Sequence, residues 1–218
     1  MQIPARFNGP PGSGNGGWSA GAFALAVGPG PREVTLRRPP PLDTPLTADG
    51  SAFHAPGGEL VAEVRPVTEA IEPVPFASVA AATEVSAGYP GFTEHPFPTC
   101  YVCGTERPDG LRIFPGRLPD GRTAAPWVAP GDVGEETMWA ALDCPGGWSA
   151  LHTGRLFVLG RIAVAIDRVP APGASCVVVG RADAMSGRKA ITGSTVYAAD
   201  GTRLAAARAT WIEIASVP

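Results

Sequence analysis

Asp143 stands inside an apolar run, Met138-Trp139-Ala140-Ala141-Leu142-Asp143-Cys144. The run reads as a buried helix over residues 135–144. Burying an ionised carboxylate without partners is costly. A side chain placed this way needs a partner, a raised pKa or a chemical task. The task open to it is that of a base or a nucleophile. The structural alternative is a carboxylate hydrogen-bonded within a helix end, beside Cys144-Pro145-Gly146.

Other residues offer competing chemistries. Cys100-Tyr101-Val102-Cys103 is a C-x-x-C pair. It could be half of a zinc site, completed by Cys144, His95 or another residue, or a tight turn holding small buried thiols. No second C-x-x-C follows, so no resident metal or other cofactor is expected. Gly17-Trp18-Ser19-Ala20-Gly21 matches the G-x-S-x-G nucleophile elbow, but that motif needs a buried strand before the serine and here a Gly/Pro loop precedes it. Gly12, Gly14 and Gly17 match G-x-G-x-x-G, again without a preceding strand, so a flexible loop is expected rather than a dinucleotide site. His54, His95 and His152 have no spacing typical of metal ligands or a triad. Arg37-Arg38, Arg155, Arg161 and Arg188-Lys189 could meet a phosphate, and Arg188 and Lys189 are best placed, at a turn before a strand.

The elements that must position these groups are short strands and two apolar helices. A helix is expected over 18–27, closed by Gly28-Pro29-Gly30. Asn15 precedes it, as an N-cap or as a side chain facing a ligand. Strands are expected over 33–38, 46–54 and 60–67. Residues 69–99, rich in Pro and Ala, read as a crossover linker with room for a short helix. Strand pieces over 111–114 and 123–128 precede the second helix, and strands follow over 157–167, 175–184, 189–199 and 203–214. Both halves thus run strand, apolar helix, then antiparallel-looking strands, which implies a pseudo-twofold pair with halves 1–68 and 100–218. Gly-Gly-Trp-Ser-Ala occurs at 16–20 and at 146–150; the first copy opens a helix and the second is expected to end one.

The bulk properties narrow the function classes. Among 218 residues there are 28 Gly and 25 Pro, close to the disorder-prone range, yet 44% apolar residues argue for a real core. The net charge is −3 and no basic stripe is present, which excludes a nucleic-acid partner. No apolar run reaches the roughly 18 residues that span a membrane, and no secretory leader is evident at the N-terminus. Four cysteines do not make a disulfide scaffold. A cytoplasmic, reduced protein is expected.

The stretch Asn15-Gly16-Gly17-Trp18-Ser19-Ala20-Gly21 is similar to the His-Gly-Gly-Tyr-type helix start of the double-hotdog acyl-CoA thioesterase-like family, with Asn15 at the His position. Residues 34–45 resemble the strand after that helix, with its Pro-rich exit, and Leu142-Asp143 resembles the helix Asp of the second half. The resemblance implies an α+β tandem hotdog in which an antiparallel sheet wraps two central helices. It implies a CoA-type acyl thioester as ligand, bound or hydrolysed, and leaves a homodimer open. In that reading Asp143 activates water while amides near Gly16 or Gly17 hold the oxyanion, Asn15 faces the acyl group, and Trp18, Trp139 and Thr210 line the pocket.

Overall fold

A computed structural model describes residues 1–151 and 154–215; His152 lies outside them. Ten strands are described: β1 (Arg32–Leu36), β2 (Thr47–Asp49), β3 (Ala52–His54), β4 (Leu60–Pro66), β5 (Gly116–Arg117), β6 (Thr123–Val128), β7 (Leu156–Ile166), β8 (Ser175–Ser186), β9 (Lys189–Ala198) and β10 (Arg203–Ile214). They form one sheet in the order β2-β3-β4-β1-β7-β10-β9-β8-β6-β5, antiparallel at every pairing. Three α-helices pack with it: α1 (Gly16–Val27), α2 (Val79–Ser86) and α3 (Glu135–Leu151). From the β1–β7 junction the order is mirrored: β1, β4, β3, β2 run outward on one side and β7, β10, β9, β8 on the other. At the junction Val34 faces Ile162, and both are fully buried.

Most expected strands form within a residue or two of their expected ends. The stretch 46–54 instead folds back on itself as β2 and β3, because Gly50 takes a φ of 57° and turns the chain. No strand forms over 111–114; the backbone there bonds to the preceding loop, with Leu111 and Ile113 N–H donating to the carbonyls of Tyr101 and Val102. In β8 the run Cys176-Val177-Val178-Val179 is apolar on both faces. Cys176 and Val178 join the main core with α3, whereas Val177 and Val179 join a second cluster under α2. Alternation would expose one face; here both are covered, so both sets are apolar.

That second cluster changes the reading of residues 69–99. Val74 is buried, its N–H donates to Thr195 Oγ1, and its carbonyl accepts from Tyr197 Oη. The segment covers the second sheet face and carries α2, capped by Ser78.

Helix α3 does not stop at Cys144. It continues through Pro145-Gly146-Gly147 to Leu151, so the second Gly-Gly-Trp-Ser-Ala copy extends a helix instead of ending one. Proline removes an intrahelical donor and disfavours a helix interior. Tertiary packing overrides that preference, because every residue from Thr137 to Ala150 is buried. The Pro145 carbonyl accepts from Thr123 Oγ1 at 2.7 Å. Gly180 on β8 leaves room for it: a Cβ there would sit 2.2 Å from the Pro145 oxygen. Gly180→Ala is therefore expected to lower stability by ~1–3 kcal/mol through overpacking, read as a reduced midpoint in urea unfolding; an unchanged midpoint would show that this helix–sheet contact is loose.

Candidate active site

Helices α1 and α3 pack against each other along small residues. A Cβ on Gly17 would lie 2.6 Å from Asp143 Cβ and 2.6 Å from the Trp139 carbonyl oxygen, and one on Gly21 would lie 2.9 Å from Trp139 Cβ. The absent side chains bring the start of α1 directly onto the middle of α3. Asp143 is 3% exposed. Its Oδ2 accepts from Gly17 N–H at 2.9 Å and from Asn15 Nδ2 at 2.9 Å. Its Oδ1 is buried and has no hydrogen-bond partner among the described residues.

Asn15 does two things at once. Its Oδ1 accepts from Trp18 N–H at 2.8 Å and so caps α1, while its Nδ2 reaches Asp143. Its own N–H donates to the Phe7 carbonyl at 2.7 Å, which ties the cap to the N-terminal loop. The start of a helix also favours nearby negative charge. Burial pushes the Asp143 carboxyl up to about 7, opposed by the Gly17 and Asn15 donors and reinforced by charge on Cys100.

A cavity of about 60 Å³ adjoins the carboxylate. Asp143, Asn15 and Gly16 line it together with Cys100, Cys103, Cys144 and a mostly apolar wall that includes Phe97, Trp148 and Trp211. A larger groove of about 360 Å³ shares Pro10, Gly16, Val158 and Leu159 with it, and Arg37 and Arg38 lie along that groove. His95 also faces the cavity. Its Nδ1 accepts from Phe97 N–H at 2.9 Å, so Nε2 carries the proton and donates to the Cys103 carbonyl at 3.0 Å. Burial holds its pKa below the usual value. With both nitrogens engaged, His95 is a wall residue rather than a base.

Two solved structures span nearly the whole chain. One is a protein named as a candidate thioesterase from Novosphingobium aromaticivorans DSM 12444, at 16% identity and a TM-score of 0.61, covering 97% of this chain and 93% of that one. The other is a conserved protein of unknown function with a hot dog fold from Alicyclobacillus acidocaldarius, at 16% identity and a TM-score of 0.59, covering 99% of this chain and 92% of that one. The chain has the hot dog fold. No family model and no curated protein matches its sequence.

Within this hot dog fold several expected pocket residues lie elsewhere. Gly17 N–H is committed to the Asp143 carboxylate, so it does not face an oxyanion. Gly16 N–H is the amide of the first α1 turn left without a partner among the described residues. Trp18 is half-buried and stacks on Phe7 at 3.8 Å, away from the cavity. Trp139 lines a different cavity, with Ala24 and Glu135. Thr210 is tied into the sheet opposite Arg161 and Ile191, and the bulge after it turns Trp211 to the cavity instead. Arg188 and Lys189 are exposed; Arg188 Nη2 donates to the Glu213 carbonyl, and neither residue reaches the groove. Ser19 is fully buried within α1, with no strand before it, which removes the elbow reading.

His95, Phe97, Trp148 and Trp211 escape a reading by motif, since they reach the wall from three separate places: the loop before β5, α3 and β10. Trp148 lies five residues beyond Asp143, and its place on the wall depends on α3 continuing through Pro145. Gly17→Ala is expected to push α1 off Asp143 and to cost ~1–3 kcal/mol; urea unfolding at wild-type stability would mean that the helix contact is not tight.

Proposed function

We propose that the chain is a thioesterase acting on a CoA-type acyl thioester, with Asp143 as the base that activates water. The observation that carries this reading is the asymmetry of the carboxylate: one oxygen is fixed by Asn15 and Gly17, and the other is buried at the cavity without a partner among the described residues. A water held by Oδ1 would lose a proton to it and attack the thioester carbonyl. The oxygen that becomes negative would accept from Gly16 N–H at the positive end of α1.

The volumes divide the ligand. Small-molecule sites usually occupy ~300–1,000 Å³; the groove of about 360 Å³ reaches that range and the cavity of about 60 Å³ does not. The groove, with exposed Arg37 and Arg38, suits the long phosphate-bearing arm. The cavity suits a short acyl group and a water.

The mirrored strand order supports a tandem hot dog, with α1 and α3 as the two equivalent central helices. Matching Gly16 with Glu135, the first residue of each helix, places Ala24 where Asp143 stands in the other half. The cavity beside Ala24, about 70 Å³, has no carboxylate at that position. One catalytic site per chain follows.

A panel from acetyl-CoA to palmitoyl-CoA, read by release of free thiol, tests the proposal. Short acyl groups should be cleaved fastest, and Asp143→Asn should reduce kcat by ~10²–10⁴-fold while retaining the folded-state circular dichroism. Turnover unaffected by Asp143→Asn would remove the carboxylate from the mechanism. Arg38→Glu should raise KM for CoA esters with little change in kcat, the signature of lost ground-state binding; an unaltered KM would take the phosphate-bearing arm off this groove.

A further inference from the structure

Three cysteines outside the proposed chemistry meet at one point. Cys100 and Cys103 come from the loop before β5, and Cys144 comes from α3 next to Asp143. Their sulfurs all lie within 4.8 Å of one another, and Cys100 Sγ and Cys144 Sγ are 3.9 Å apart. All three residues are buried and none is in a disulfide. We propose that Cys100, Cys103 and Cys144 bind one zinc ion, with a fourth coordination position open to the cavity beside Asp143.

The sulfur spacing suits a zinc held by three thiolates. A tetrahedral zinc with Zn–S bonds of ~2.3 Å separates its sulfurs by ~3.8 Å, close to the distance already present between Cys100 and Cys144. The loop is built for it as well. Gly104 N–H donates to the Cys100 carbonyl at 2.9 Å, closing a tight knuckle. Only glycine fits there, since a Cβ would lie 2.6 Å from both the nitrogen and the carbonyl oxygen of Cys100. The knuckle is anchored by Tyr101 N–H on the Asn8 carbonyl and by Leu111 and Ile113 N–H on the knuckle carbonyls.

A disulfide between Cys100 and Cys144 is the competing chemistry. It would require the sulfurs to close from 3.9 Å to ~2.05 Å, and it would leave Cys103 unused in the same cluster. A single cation engages all three. Three protein ligands with one open position also distinguish this set from a saturated structural site; water or a thiol sulfur from the cavity can take the fourth place. The proposal does not depend on thioester hydrolysis, because metal binding is read without turnover.

The test is elemental analysis of the full chain purified under reducing conditions after growth with zinc, followed by replacement of the metal with cobalt(II). The expected result is one zinc per chain and a near-ultraviolet thiolate-to-cobalt charge-transfer band. Cys103→Ser and Cys144→Ser should each lose or sharply weaken the band, while Cys176→Ser, on β8 and outside the cluster, should keep it. A wild-type chain that is metal-free and gives no cobalt band overturns the proposal, whatever the variants do. So does a band undiminished in both Cys103→Ser and Cys144→Ser, or a Cys100–Cys144 disulfide in place of bound zinc.

Discussion

A carboxylate buried between two helices must find donors, and the first turn of α1 supplies them to Asp143. The cost of removing an ionised group from water is several kcal/mol even after relaxation (~20 kcal/mol in the idealised limit). Two charge-assisted hydrogen bonds and the favourable end of a helix offset part of it. The rest appears as a pKa pushed up to about 7. Everything nearby follows from that meeting: Gly17 and Gly21 must be small for the helices to touch, and Asn15 must both cap α1 and reach across.

In the proposed tandem reading only one of the two central helix starts carries this arrangement. The strand order is mirrored about the β1–β7 junction, and in the proposed tandem reading Ala24 would hold the place of Asp143. An alanine there needs no donors, and the start of α3 correspondingly offers Glu135 and Glu136 in its first turn rather than an asparagine and two glycines. Acidic residues suit a helix start that has no carboxylate to receive. One helix start receives a carboxylate from the other helix, and the other start carries its own.

Much of the fold was legible along the chain because strands with alternating or β-branched residues announce themselves locally. The ends of β6 and β10 coincide with the expected ones, and Asp143 was conspicuous by its apolar neighbours. What was not legible is long-range. Pro145 signals a helix end by every local rule; only burial against Thr123 and Gly180 keeps α3 going. Residues 69–99 look like a linker because Pro and Ala lack periodicity, but Val74 is held by Thr195 and Tyr197, more than a hundred residues away. Trp18 and Trp139 flank the seam in sequence, yet helix geometry sends them to other surfaces while Trp148 and Trp211 take the cavity wall. Cys144 is silent beside a C-x-x-C pair until the fold brings its sulfur to Cys100.

The link between Asn15 and Asp143 is measurable without any substrate. A double-mutant cycle with Asn15→Ala, Asp143→Ala and the pair, followed by urea unfolding, isolates their interaction from the cap and from packing. The two side chains meet at 2.9 Å in a buried setting, so a coupling of ~1–3 kcal/mol is expected. Additive effects, within ~0.3 kcal/mol, would mean that the start of α1 does not hold the carboxylate, and the account of the site would fail.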